Sequence, residues 1–397
     1  MRREVVFTAL LVSGVAAGPV WVLWIEWRKR RRRERALDAH LVLMEAARAP
    51  AGQWEKLLAS VCATCEQVRR EDPEDKLAQE IWARALWLGA TRGPASERDG
   101  LLAKAEEKFS PELPGYTKRQ QALIRVLLER AACNPGEVGR GFLERACRLA
   151  AALASGEPDP TGDTIDLWRH ALYVQALRTS DADARRLSAL AEQKATLALS
   201  MTPDDPDRLH ALGEILLLRC TLHPVEDGAA FIERAMEQFD AVLRKHPGHS
   251  RALAFRSYAL CDRAARTPDE ATARLVEEFN RRLEEAAAQQ DCDRDVIFGG
   301  WGMALLAQAM CATEEEATRL RLEAKKKLLE AETPAAYNVA CACALLGETE
   351  ECRHWLEVSR EPGLLVSSDS MRRQQEFESV RGERWFIERL GQGETGP

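Results

Sequence analysis

Phe231, Ile232, Ala235, Met236, Phe239, Val242 and Leu243 fall at i, i+3, i+4 and i+7, while Glu233, Arg234, Glu237 and Asp240 fill the places between them. At 3.6 residues per turn the first set makes one apolar stripe and the second lies outside it, so the segment predicts an amphipathic helix. Within the stripe Ala235 stands one turn ahead of Phe239, on the same face. The same pairing recurs at Val61/Cys65, Ala105/Phe109, Ala146/Ala150, Ala191/Ala195, Phe279/Leu283, Ala324/Leu328 and Cys352/Leu356. Successive first members are 44, 41, 45, 44, 44, 45 and 28 residues apart.

A helical pattern that repeats at such a period, with no strand signal between repeats, is what stacked helix-turn-helix units produce. A single helix pair cannot bury its apolar face alone, so each unit must dock on the next. The small residue lets helices approach, and the residue one turn on fills the neighbouring groove. Pro203, Pro247 and Pro334 stand after such stripes, where a helix has ended. The expected fold is all-α, an α-solenoid of helix pairs of 40–45 residues with long turns between paired helices.

Particular residues carry a family resemblance. The stretch YNVACACALLGETEECRHWLEVS, beginning at Tyr337, resembles a tetratricopeptide (TPR) unit: Tyr337, Val339, Ala340 and Cys343 on a first helix, Gly347 at the turn, Cys352 and Leu356 on a second. Leu209, Leu212, Gly213 and Leu216 are similar to the first half of that motif, and Ala235, Phe239, Val242 and Pro247 to its second half. Between the halves stand about ten residues more than the 34-residue family period. These either project as turns, as at 91–98 and 221–228, or extend the helices, the reading favoured by Glu314, Glu315 and Glu316 at the start of a second helix. Residues 376–386, EFESVRGERWF, resemble the tail that closes such arrays.

The N-terminus has a different pattern. Residues 5–25 are 21 consecutive uncharged positions, long enough to cross a bilayer. Arg2 and Arg3 precede them, and Arg28, Lys29, Arg30, Arg31, Arg32, Arg33 and Arg35 follow. The heavier basic flank predicts a single-pass anchor with its N-terminus out and the body in the cytoplasm, in a bacterial inner membrane or, alternatively, a mitochondrial outer membrane. Trp21, Trp24 and Trp27 fit the aromatic belt of that interface, and the basic run would meet anionic headgroups. Gly14 and Gly18 form a GxxxG pattern through which two anchors would pair as a homodimer. A cleavable signal peptide is the competing reading, with 15–17 as the cleavage site. The expected domains are an anchor at 1–27, a polybasic segment at 28–35, the solenoid at 36–362 and a capping tail at 363–397.

Charge narrows the function. Of 56 Lys plus Arg and 63 Asp plus Glu, nine and three fall within residues 1–35, leaving 47 against 60 in the body. An acidic body argues against nucleic acid, whose phosphates demand a basic surface. Arginine far outnumbers lysine, a sign of GC-rich bacterial coding. The 11 cysteines are spread along helical faces, which suits a reducing compartment.

Little points to catalysis. Cys62 and Cys65 form a CxxC with no second CxxC for zinc and no βαβ context for redox work, and as i and i+3 with Leu58 and Val61 they read as core. A redox protein using that pair is the least favoured alternative. The run Gly299, Gly300, Trp301, Gly302 lacks the Lys-Ser/Thr of a phosphate loop and suits close helix contact. No cofactor or metal is implied.

What the TPR resemblance implies is a non-catalytic scaffold that presents a groove, lined by the first helix of each pair, to protein partners. A mitochondrial receptor or tether is the alternative. The family register places Asp207, His210 and Glu214 of one unit and His249, Ala252 and Arg256 of the next on the groove. The acidic body makes a basic ligand a better fit than a C-terminal carboxylate.

Overall fold

The structure is a computed structural model that describes residues 17–109, 117–134, 136–156, 161–179, 181–223, 225–289, 292–331, 335–359, 371–372 and 374–392. Every regular element among them is helical, with no strand. The chain forms two compact units, Met1–Cys133 and Asn134–Pro397.

The first unit holds α1 (Ala17–Arg48), α2 (Trp54–Glu71), α3 (Lys76–Arg92), α4 (Ala95–Phe109) and α5 (Thr117–Cys133), each packed on the next. Ala36, Ala39, Leu43 and Ala46 of α1 meet Trp54, Leu58, Val61, Cys65 and Val68 of α2 and Ala78, Ile81 and Ala85 of α3 in one core. Arg92, at the end of α3, donates to the carbonyls of Ala46 and Ala49 at 2.8 Å each, satisfying acceptors that the end of α1 leaves open.

The second unit continues with α6 (Gly136–Gly156), α7 (Gly162–Leu177), α8 (Asp181–Met201), α9 (Pro206–Leu222), α10 (Val225–Lys245), α11 (Ser250–Arg266), α12 (Glu270–Ala287), α13 (Arg294–Met310), α14 (Glu314–Leu329), α15 (Ala336–Leu345) and α16 (Thr349–Val358). A 3₁₀ helix, Gln375–Val380, and α17 (Arg384–Gln392) close it. Even-numbered helices such as α8, α10 and α12 lie against both their own first helix and the next one. A helix wedged in this way needs a face that is small where the backbones approach and bulky beside it. All eight repeated pairs fall on even-numbered helices, and none of their residues is more than 4% exposed.

Glycine on the odd-numbered helices completes the wedge. A Cβ at Gly213 of α9 would lie 2.5 Å from Phe239 of α10, and one at Gly302 of α13 would lie 2.4 Å from Leu328 of α14. A Cβ at Gly300 would sit 2.6 Å from the Ala254 Cα, so here the backbone of α13 itself approaches that of α11.

The extra residues of each unit extend helices instead of forming long turns. Only residues 93–94 separate α3 from α4, and only 223–224 separate α9 from α10. Each added residue continues the backbone hydrogen-bond ladder and lengthens the buried face, which a projecting turn would not do. Gly347, at φ +74°, makes the turn between α15 and α16, a left-handed conformation suited to glycine. At the far end Phe377, Val380, Phe386 and Leu390 are buried in the same core as Val339 and Cys341. Ser379 Oγ donates to the Ala344 carbonyl at 2.6 Å.

The membrane expectation is corrected. Among the described residues no helix is long and apolar enough to cross a membrane, so the single-pass anchor with its bacterial or mitochondrial placement does not stand. Residues 5–16, with Gly14, lie outside the described residues, as do the side chains of Gly18 and Trp21. The nine uncharged positions 17–25 continue without a break into Glu26, the basic run and the core-packed half of α1. Part of that run is spent inside the fold: Arg32 pairs with Asp72 at 2.9 Å, and Arg35 grips Glu71 with both terminal nitrogens, at 2.9 and 2.5 Å. Lys29 pairs with Glu26 and Arg30 with Glu34 along the helix, while Arg28 lies over the Trp24 ring at 3.8 Å and Arg31 over Trp27 at 4.8 Å.

Candidate functional site

The odd-numbered helices α7, α9, α11, α13 and α15 contact one another in order. N-caps set where four of them begin. Thr161, Asp205, His249 and Asp293 each accept a backbone N–H of the first turn, from Thr164, from Asp207 and Arg208, from Ala252 and from Val296 respectively. These four caps stand 44 residues apart, so equivalent faces of the helices come into line.

A line of polar and aromatic side chains, half-buried except for the exposed Arg251, crosses this row. It runs from Arg169 and Tyr173 on α7 to Glu214 on α9, to Arg251, Phe255 and Tyr258 on α11, and to Asn338 on α15. Arg251 Nη2 donates to Glu214 Oε1 at 3.0 Å, and His210 Nε2 lies 3.3 Å from the same oxygen. Burial works to raise the Glu214 carboxyl, but His210, Arg251 and Arg169 outweigh it and hold it below the usual carboxylate range. Arg169 Nε lies 3.6 Å from Asp166 Oδ1, while Asp166 Oδ2 takes a 2.8 Å hydrogen bond from Arg208. Burial lowers the Arg169 pKa and raises that of Tyr173. Phe255 meets Tyr258 edge-on at 5.3 Å, and Asn338 Nδ2 donates to the Tyr258 hydroxyl at 3.2 Å.

Of the residues expected on the groove, His210, Glu214 and His249 come together. The His210 ring lies 5.9 Å from that of His249, 5.0 Å from Phe255 and 5.5 Å from Phe239. His210 is only 3% exposed, its ring set among these aromatic faces with Nε2 turned toward Glu214. Asp207 is exposed in the first turn of α9. Arg256 turns away from the line: it is buried against Asp240 of α10 at 3.0 Å and lies 5.5 Å from the Phe279 ring of α12. Ala252 is fully buried. The face of α11 on the line therefore carries Arg251, Phe255 and Tyr258, one residue out of step with the expected set. Their i, i+4, i+7 spacing was the available signal.

Other candidate chemistry is absorbed by the fold. Burial pushes the Cys65 thiol up to about 12, and burial also raises Cys62, so neither supplies thiolate at neutral pH. Cys343, Glu348 and Glu351 lie close enough together to hold a metal ion. The Lys325 ammonium already stands there, 2.7 Å from Glu348 and 2.5 Å from Glu351. An open groove of about 510 Å³ along α8 is lined by Glu192, Thr196, Leu197 and Ser200, but its acid, Glu192, is paired with Arg219 and Arg234.

No protein-family profile matches the chain, and no curated protein matches it. Solved structures do. The human IFIT1 dimer with m7Gppp-AAAA is 12% identical with a TM-score of 0.42, the match covering 77% of this chain and 68% of that one. Yeast Tom70 is 14% identical with a TM-score of 0.42, and this chain, matched over 90% of its length, spans 64% of the Tom70 chain. The P58(IPK) TPR domain is 14% identical with a TM-score of 0.24, the match covering 91% of this chain and all of that one, 100%. Likeness at this level carries no argument about function. The paired helices, their shared period and their stacking order make this a TPR-like helical-repeat fold.

Proposed function

We propose that the chain is a protein-interaction scaffold whose second unit docks a partner segment across the odd-numbered helices. The observation that carries this reading is the line from Arg169 to Asn338. It offers cations, a carboxylate, aromatic faces and an amide on one surface, with α11 tied to α9 through Arg251 and Glu214 and to α15 through Tyr258 and Asn338. A partner laid along it meets several helices at once, and many modest contacts sum to useful affinity. Aromatic and arginine side chains are also those that dominate binding energy at interfaces.

The test uses the full chain as bait, with Arg251→Glu and Tyr258→Ala on the line and Arg353→Glu as a control on the exposed side of α16. Proteins bound by the wild type and the control, but lost by both line variants, are the expected result. Equal recovery by all four baits ends the proposal.

A further inference from the structure

We propose that His249 makes the start of α11 a proton-sensitive joint, closed while its ring is neutral and opened when the ring is protonated. The geometry assigns the tautomer. The Ala252 N–H donates to His249 Nδ1 at 3.1 Å, and a backbone N–H is always a donor, so Nδ1 must hold a lone pair and the ring proton sits on Nε2. Protonation puts a second donor against Ala252 N–H and abolishes the cap. The equivalent caps at Thr161, Asp205 and Asp293 are made by a hydroxyl and two carboxylates, oxygen acceptors in place of an imidazole. Among these four starts, α11 alone carries a cap that titrates in the physiological range.

The groups around the ring are Asp207 and His210 from α9, His246 of the preceding turn, whose carbonyl accepts the His249 N–H at 3.0 Å, and Arg251 on α11 itself. Burial and the His210 ring lower the His249 pKa, with Arg251 acting the same way and Asp207 against it. The folded chain thus disfavours the charged ring, and the cap's contribution is present above the ordinary histidine value and is lost as pH falls from there through the ring's lowered folded value. The joint has a position that gives it reach. Arg251 lies in the first turn of α11 and holds Glu214 of α9, so loosening that turn slackens the tie between two neighbouring helices of the row.

Amide exchange of the full chain, resolved residue by residue by NMR from pH 7.5 to 5, tests the joint without any partner. Protection at Ala252, corrected for intrinsic exchange, should fall about fivefold across that range, the size of one lost cap. Protection at Val296, capped by Asp293, should stay level in the same molecule. In His249→Asn, whose amide oxygen caps without titrating, Ala252 should hold level too. A parallel fall at Ala252 and Val296, no fall at Ala252, or a fall that persists in His249→Asn each overturns the proposal.

Discussion

The Tyr258 hydroxyl accepts a hydrogen bond from Asn338 at 3.2 Å, tying α11 to α15 across 80 residues of chain. It does so beside α13, where a Cβ on Gly299 would lie 3.9 Å from that hydroxyl. Its neighbour Gly300 has no such room, with the Ala254 Cα 2.6 Å from the place a Cβ would take. Two adjacent glycines therefore have different reasons for being glycine.

Alanine scanning should separate them. Gly299→Ala makes an ordinary contact and gains about 0.5–1 kcal/mol of helix propensity. Gly300→Ala forces two backbones apart and should cost about 1–3 kcal/mol. Denaturant midpoints placing Gly299→Ala at or above wild type and Gly300→Ala clearly below it are expected; the reverse order contradicts the close approach of α11 and α13.

The caps give a second comparison. Asp205→Ala and Asp293→Ala should each lose about 1 kcal/mol. Thr313, at the start of α14, makes no side-chain cap bond, so Thr313→Ala should change stability by only a few tenths. Urea unfolding of the three variants side by side checks the ranking.

The repeat was legible and the burial of Arg256 on α11 was not, for one physical reason. Helices α8, α10, α12 and α14 are each buried between two odd ones, so packing alone constrains the small-then-bulky pair, and the pairs at Ala235/Phe239 or Ala324/Leu328 show in the sequence. An odd-numbered helix has a buried face and a partly exposed one, and on α11 both carry arginine. Arg256 on the buried face pairs with Asp240, a partner in a different helix that no local pattern announces. The even spacing of the caps escaped notice because Thr, Asp, His and Asp share an acceptor but not a residue type. The basic flank suggested a membrane interface because charge pattern alone does not report that Arg32 and Arg35 are committed to Asp72 and Glu71.

Asp262 on α11 gives a pH dependence. Burial, and after it the charge of Glu376 on the 3₁₀ helix, raise its carboxyl to about 7, with Arg266 opposing. A carboxyl whose folded pKa lies above its unfolded value binds more protons folded than unfolded, so stability falls as pH rises from about 4 to 7, by on the order of 1 kcal/mol per pH unit. Thermal unfolding of wild type and Asp262→Asn across pH 4–8 should show the variant flatter over that range and the more stable of the two at pH 8. Identical profiles would remove the buried carboxyl from the account.

Thiol labelling tests the thiol reading. Cys65 is fully buried with its pKa pushed up to about 12, so alkylation at pH 8 should modify it only after unfolding. Mass spectrometry of native and denatured samples reports this directly. Rapid native labelling at Cys65 would restore a case for redox chemistry at the CxxC.

The even spacing of the caps from Thr161 to Asp293 has a genetic corollary. Excising one or two residues within α9 rotates everything downstream out of phase with α7, whereas removing residues 205–248 whole rejoins one capped start to another.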